Sequence, residues 1–127
     1  MIAIGKTASV KTTVNENNTA LAAGSGSLMV FATPMMVALM EKAACEALYD
    51  SLEAGQTSVG TQINVSHNAA TPLGATVTAA ATVTGVSGRK VEFEVTASDG
   101  AGEIGNGTHT RFIVDEAKFM AKVRERQ

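Results

Sequence analysis

The sequence is poor in the residues that mark several functional classes. It has a single cysteine, Cys45, so no internal disulfide is available. Its aromatics are four Phe and one Tyr, too few for a row of base-stacking platforms. Lys and Arg total 10 against 12 Asp and Glu, a formal net charge of −2, so there is no basic field to draw a polyanion. No nucleic-acid partner is expected. No apolar run approaches the roughly 20 residues needed to cross a bilayer, and no positively charged start leads into a continuous apolar stretch. No membrane partner is expected, and a soluble cytoplasmic protein is. Internal repeats and low-complexity linkers are missing too, and the Gly and Ser of GSGS are too few to tether two domains. At 127 residues the chain fits one domain, 1–127, built on one core.

What is present is one strong helical signal. In FATPMMVALMEKAA, Pro34 suits a first helical turn and Thr33 before it can cap the free amides, so a helix is predicted from Pro34 to Tyr49. At about 100° per residue, Lys42, Glu46 and Tyr49 fall on one side. Met36, Val37, Met40, Ala43, Ala44, Ala47 and Leu48 cover the other. Cys45 reads as a small packing residue of this helix rather than a nucleophile. Glu41 does not join the polar side. Its neighbours three and four positions away are Val37, Ala38, Ala44 and Cys45, none of which can neutralise it. A carboxylate so placed must be met from outside the helix or must reach water.

The rest of the chain reads mostly as strands. SVKTTV alternates weakly, and Asn15 to Ser27 reads as a loop. TQINVSH alternates strictly, with Thr61, Ile63, Val65 and His67 on one face and Gln62, Asn64 and Ser66 on the other. ATVTAAATVTGV points Val77, Ala79, Ala81 and Val83 inward, and VEFEVTA does the same with Val91, Phe93, Val95 and Ala97. A last strand runs from Glu103 to Val114, and DEAKFMAKVRER has helical character. Short turns between these strands predict antiparallel neighbours, with the long helix covering one face through Ile63, Val65, Val77, Val91 and Phe93. An α+β antiparallel sheet wrapped around one central helix is the hotdog architecture.

The order and spacing of FATP, the Glu41 helix, VGTQINVSHNAATPLG and EIGNGTHTRF resemble the hotdog thioesterases of the fluoroacetyl-CoA thioesterase type. The resemblance runs from Phe31 to the terminal FMAKVR. It implies that Thr33, Glu41 and His67 form a catalytic set, and that Gly60 and Arg111 belong to the acyl-thioester site. It also implies a homodimer with its sites near the subunit boundary, an acyl-CoA substrate, and no metal or prosthetic cofactor. Members specific for fluoroacetyl groups carry an aromatic lid ahead of the helix. Here that segment is LAAGSGSLM, so fluoroacetyl specificity is not expected.

The residues themselves carry part of this reading. A histidine on the sheet's inner face and a glutamate on the helix's sheet-facing side can converge, and two titratable groups in an apolar cleft are what acid–base chemistry requires. Glu41 would activate water or attack the carbonyl. Thr33 would orient it, or act as the nucleophile with His67 as base; His67 would protonate the departing thiolate. The Gly60 amide could face the oxyanion. Each residue also has a plainer role: a core or edge histidine, a helix cap worth about 1 kcal/mol, a strand bulge at Gly60, an interface ion pair for Arg111. His109 is assigned a structural role. GAGEIGNGTH lacks the lysine and helix of a phosphate-binding loop. The rival functions are a noncatalytic acyl-thioester binding module and a hotdog hydratase or dehydratase.

Overall fold

In the computed structural model, which describes residues 2–127, the elements follow one another as β1 (Thr7–Thr13), α1 (Ala20–Ala23), α2 (Thr33–Leu48), β2 (Gln56–His67), β3 (Thr76–Ser87), β4 (Lys90–Asp99), β5 (Gly102–Asp115) and α3 (Glu116–Glu125). All strands join one antiparallel sheet in the order β1-β3-β4-β5-β2. The long helix α2 lies on its inner face, giving the hotdog arrangement.

The period-2 pattern places the core. Val77, Ala79, Ala81 and Val83 of β3 and Val91, Phe93, Val95 and Ala97 of β4 are all buried. They meet Met36, Leu39, Met40, Ala43, Ala44, Ala47 and Leu48 of α2, also buried. Leu39 thus joins the covered stripe, whereas Val37 is only half-buried. Cys45 is exposed, so it does not pack as expected.

Three local features depart from the sequence reading. The helix starts at Thr33, and Ala32 is its N-cap with no side-chain hydrogen bond. The Thr33 hydroxyl is therefore not a cap and is left for another partner. The loop before the helix contains α1, which is closed by Thr19 Oγ1 accepting from the Ala22 amide at 3.2 Å and by Gly24 at φ 75°.

The third departure lies in β2, which begins at Gln56 and pairs with β5 through a bulge between Gly60 and Gln62. The extra residue, Thr61, is exposed rather than inward. Because a bulge shifts the side-chain alternation by one, Ser58 and Gly60 before it face the same side as Ile63, Val65 and His67 after it. Helix α2 packs chiefly on β1 and β3, so Ile63 and Val65 near the β2 edge are only half-buried.

Candidate active site

The candidate residues form two groups along the contact between α2 and β2. In the first, Thr33 in the opening turn of α2 meets His67 at the end of β2, with Thr33 Oγ1 and His67 Nδ1 2.7 Å apart. The other ring nitrogen, His67 Nε2, is buried and has no hydrogen-bond partner. A polar atom buried in that state is costly unless something else meets it. Beside this pair lies a recess of about 260 Å³ whose walls include Ala20, Val30, Phe31 and Asn68. The segment entering α2 is tied to the neighbouring loops by the Phe31 amide donating to the Thr71 carbonyl at 2.9 Å and the Ala32 amide donating to the Asn18 carbonyl at 3.0 Å. Phe31, just beyond the LAAGSGSLM segment, supplies an aromatic wall of the recess.

In the second group, Glu41 Oε2 accepts from Arg111 Nη1 at 3.2 Å, within an ion pair whose arginine is 8% exposed and whose glutamate is 40% exposed. Arg111 is held further by Nε donating to Ser58 Oγ at 2.9 Å and Nη2 donating to the Ser58 carbonyl at 3.0 Å. His109 Nε2 lies 3.2 Å from Arg111 Nη1, and His109 Nδ1 lies 2.7 Å from the Gln62 carbonyl oxygen. Gly60 forms the floor. A Cβ there would sit 2.6 Å from Glu41 Oε2 and 3.1 Å from both Arg111 Nη1 and His109 Cε1. The glycine is required by close approach and not by a special backbone angle, since its φ is not positive.

The carboxylate in the apolar run is thus met from outside its helix, but by Arg111. The pairing of Glu41 with His67 expected from the sequence is not made within one chain. Glu41 stands over Gly60, and His67 is seven residues further along β2, roughly 20 Å away at the strand rise. Thr33 and Glu41 are likewise about 12 Å apart along the helix. His109, expected to be structural only, sits against the guanidinium in the second group. Its inward position beside Arg111, two residues further along the same strand, was readable from the alternation of β5; that Gly60 and Ser58 would join them was not, because that depends on the β2 bulge.

Comparison with known proteins places the chain in a family. A family model described as fluoroacetyl-CoA-specific thioesterase matches residues 14–117. A curated fluoroacetyl-CoA thioesterase of Streptantibioticus cattleyicolor is 50% identical over 97 residues, 76% of this chain and 70% of that protein. A crystal structure of a mutant of the fluoroacetyl-CoA-specific thioesterase FlK superposes with a TM-score of 0.94 at 39% identity, covering 100% of this chain and 98% of that one. A mutant of FlK has also been solved with fluoroacetate and CoA. A thioesterase superfamily member of Thermus thermophilus gives a TM-score of 0.90 at 29% identity, covering 98% and 93%. The chain belongs to the fluoroacetyl-CoA-specific thioesterase family and shares its hotdog fold.

Proposed function

We propose that the protein hydrolyses the thioester of a small acyl-CoA, and that each active site joins Thr33 and His67 of one subunit to Glu41 of the partner subunit. The observation that carries this reading is the His67 ring, fixed through Nδ1 by Thr33 while its buried Nε2 has no partner in its own chain. A homodimer supplies one. β2 is one of the two edge strands of the sheet, and a second copy pairing there antiparallel about a two-fold axis would continue the sheet. If the axis passes near Ile63 or Asn64, the Gly60 end of one strand lies within about a residue of His67 of the other. Glu41, standing over Gly60, then faces the partner's recess. The same pairing covers Ile63 and Val65.

In this arrangement Glu41 takes a proton from water as the water oxygen bonds to the thioester carbonyl carbon. The C–S bond then breaks, and the proton taken up by Glu41 passes through His67 to the departing coenzyme A thiolate, which returns both side chains to their starting protonation states. The products are the free acid and the thiol. Gly60 and Arg111 bind the acyl end, with a spare Arg111 N–H and the Gly60 backbone as donors to carbonyl oxygen. No metal or cofactor is needed, and a cytoplasmic location suits an acyl-CoA substrate. The volume of the recess favours a small acyl group. The segment over it, without an aromatic lid, favours one that is not selectively fluoroacetyl. A second reading makes the Thr33 hydroxyl the nucleophile and His67 its base, and the 2.7 Å contact between them favours it specifically.

Hydrolysis of acetyl-, fluoroacetyl-, propionyl- and butyryl-CoA by the wild type and by Glu41→Gln tests the proposal. Turnover on at least one substrate is expected, with kcat falling about a hundredfold or more in the variant. Binding of every substrate without turnover would leave a noncatalytic module instead. An acyl-enzyme trapped on Thr33 and seen by mass spectrometry would select the second reading.

A further inference from the structure

We propose that His109 is a positioning residue, a neutral imidazole whose Nε2 lone pair aims the Arg111 guanidinium at Glu41. The inference rests on the thioesterase reading for its kinetic effect, but its geometry stands apart from it. The bonding roles are forced by chemistry. A carbonyl oxygen only accepts, so His109 Nδ1 must carry the hydrogen in its 2.7 Å contact with the Gln62 carbonyl. A guanidinium only donates, so Nε2, 3.2 Å from Arg111 Nη1, must be the bare nitrogen.

One tautomer satisfies both contacts. It directs one Nη1 hydrogen at His109 and leaves the other for Glu41 Oε2. With Ser58 accepting from Nε and Nη2, four of the five guanidinium hydrogens have fixed partners. Glu41 alone could not hold the arginine this way, because it is two-fifths exposed. The charged groups facing the ring are Arg111 from its own strand and Glu41 from α2. β2 offers only the Gln62 backbone carbonyl and Gly60, and the inner face of β4 offers Phe93, whose ring stacks on His109 with centroids 6.0 Å apart; Glu92, next to Phe93, points to the other side of the sheet.

The surroundings keep the ring neutral. Burial pushes the His109 pKa below its ordinary 6.5, and Arg111 adds to that push, against the opposing effects of the Gln62 bond and Glu41. A base whose native pKa is depressed contributes stability in full above its unfolded pKa. That contribution is lost as the pH falls below about 6.5 and through the native pKa, where an imidazolium would turn an N–H toward the guanidinium.

Two substitutions separate aiming from mere anchoring. His109→Asn keeps a donor near the Nδ1 position for the Gln62 carbonyl but removes the acceptor from Arg111. His109→Gln reaches the Nε2 position with its amide oxygen and keeps the acceptor. The expected result is a fall in kcat of about ten- to a hundredfold for Asn, with KM changed far less, and recovery of most of that loss in Gln. In parallel, the Arg111 guanidinium protons, followed by NMR, should be protected from exchange in the wild type and in Gln and lose protection in Asn. Wild-type kcat in His109→Asn, or a Gln variant impaired more than the Asn variant, would overturn the proposal. Protection ordered as expected in a protein that hydrolyses no acyl-CoA would uphold the positioning role and remove the thioesterase reading.

Discussion

At the scale of single residues, the second group depends on a missing side chain. Gly60 has no Cβ, and any Cβ placed there lies 2.6 Å from Glu41 Oε2, inside normal contact. Gly60→Ala must therefore move the carboxylate off Arg111. Because Gly60 is exposed on an edge strand, the fold should lose under about 1 kcal/mol. The kcat should fall about tenfold or more, since small misplacements of a reacting group are costly. Steady-state kinetics beside a thermal melt would check this, and unchanged kcat would remove Gly60 from the site. Some of this was legible in advance. Glu41 stood out because no neighbour on its helix could pair with it, and Arg111 and His67 sit inward as the alternation of their strands required. The partners were hidden. Counting every second residue put Thr61 on the inner face, whereas the bulge expels it and brings in Gly60 and Ser58. Without that shift, neither the bonds of Arg111 to Ser58 nor that of His109 to the Gln62 carbonyl could be derived.

At the scale of elements, α2 is a rod that carries both Thr33 and Glu41, so its seating on the sheet sets two positions at once. The contact is built from small residues. Ala43, Ala44 and Ala47 are fully buried, as are Ala79, Ala81 and Ala97 across from the helix layer. Ala44→Leu would overpack this contact and cost about 1–3 kcal/mol. Lifting or tilting the rod should also lower kcat, because it moves Thr33 and Glu41 together. A melt and an activity assay on the same sample would show both effects; a lower Tm with full activity would mean that the site tolerates helix displacement. These elements were readable because their periods are long and regular, 3.6 along the helix and 2 along β3, β4 and β5. A four-residue helix such as α1 has no period to read. The start of α2 moved by one residue because the Thr33 hydroxyl bonds a histidine across the structure instead of its own helix.

At the scale of the whole molecule, the proposed composite site makes a sharp prediction about mixtures. His67→Ala and Glu41→Gln should each be nearly inactive alone. After subunit exchange, half of the dimers in an equal mixture would be hybrids, and each hybrid would hold one intact site. Recovery of about a quarter of wild-type activity is then expected. No recovery, with hybrid formation verified by native mass spectrometry, would place the whole site in one chain.

The open edge of β2 has a consequence for the lone chain. Natural sheet edges are usually guarded by a charge or a proline. From Gln56 to His67, QTSVGTQINVSH contains no lysine, arginine, aspartate, glutamate or proline. At the opposite edge β1 carries Lys11. A newly made monomer therefore presents a twelve-residue edge guarded by its bulge but by no charge or proline, a template for sticking to another extended chain. In the proposed dimer, pairing with its own kind would remove that template, so the encounter that completes the catalyst would also protect the chain from aggregation, and dilution would put both at risk together.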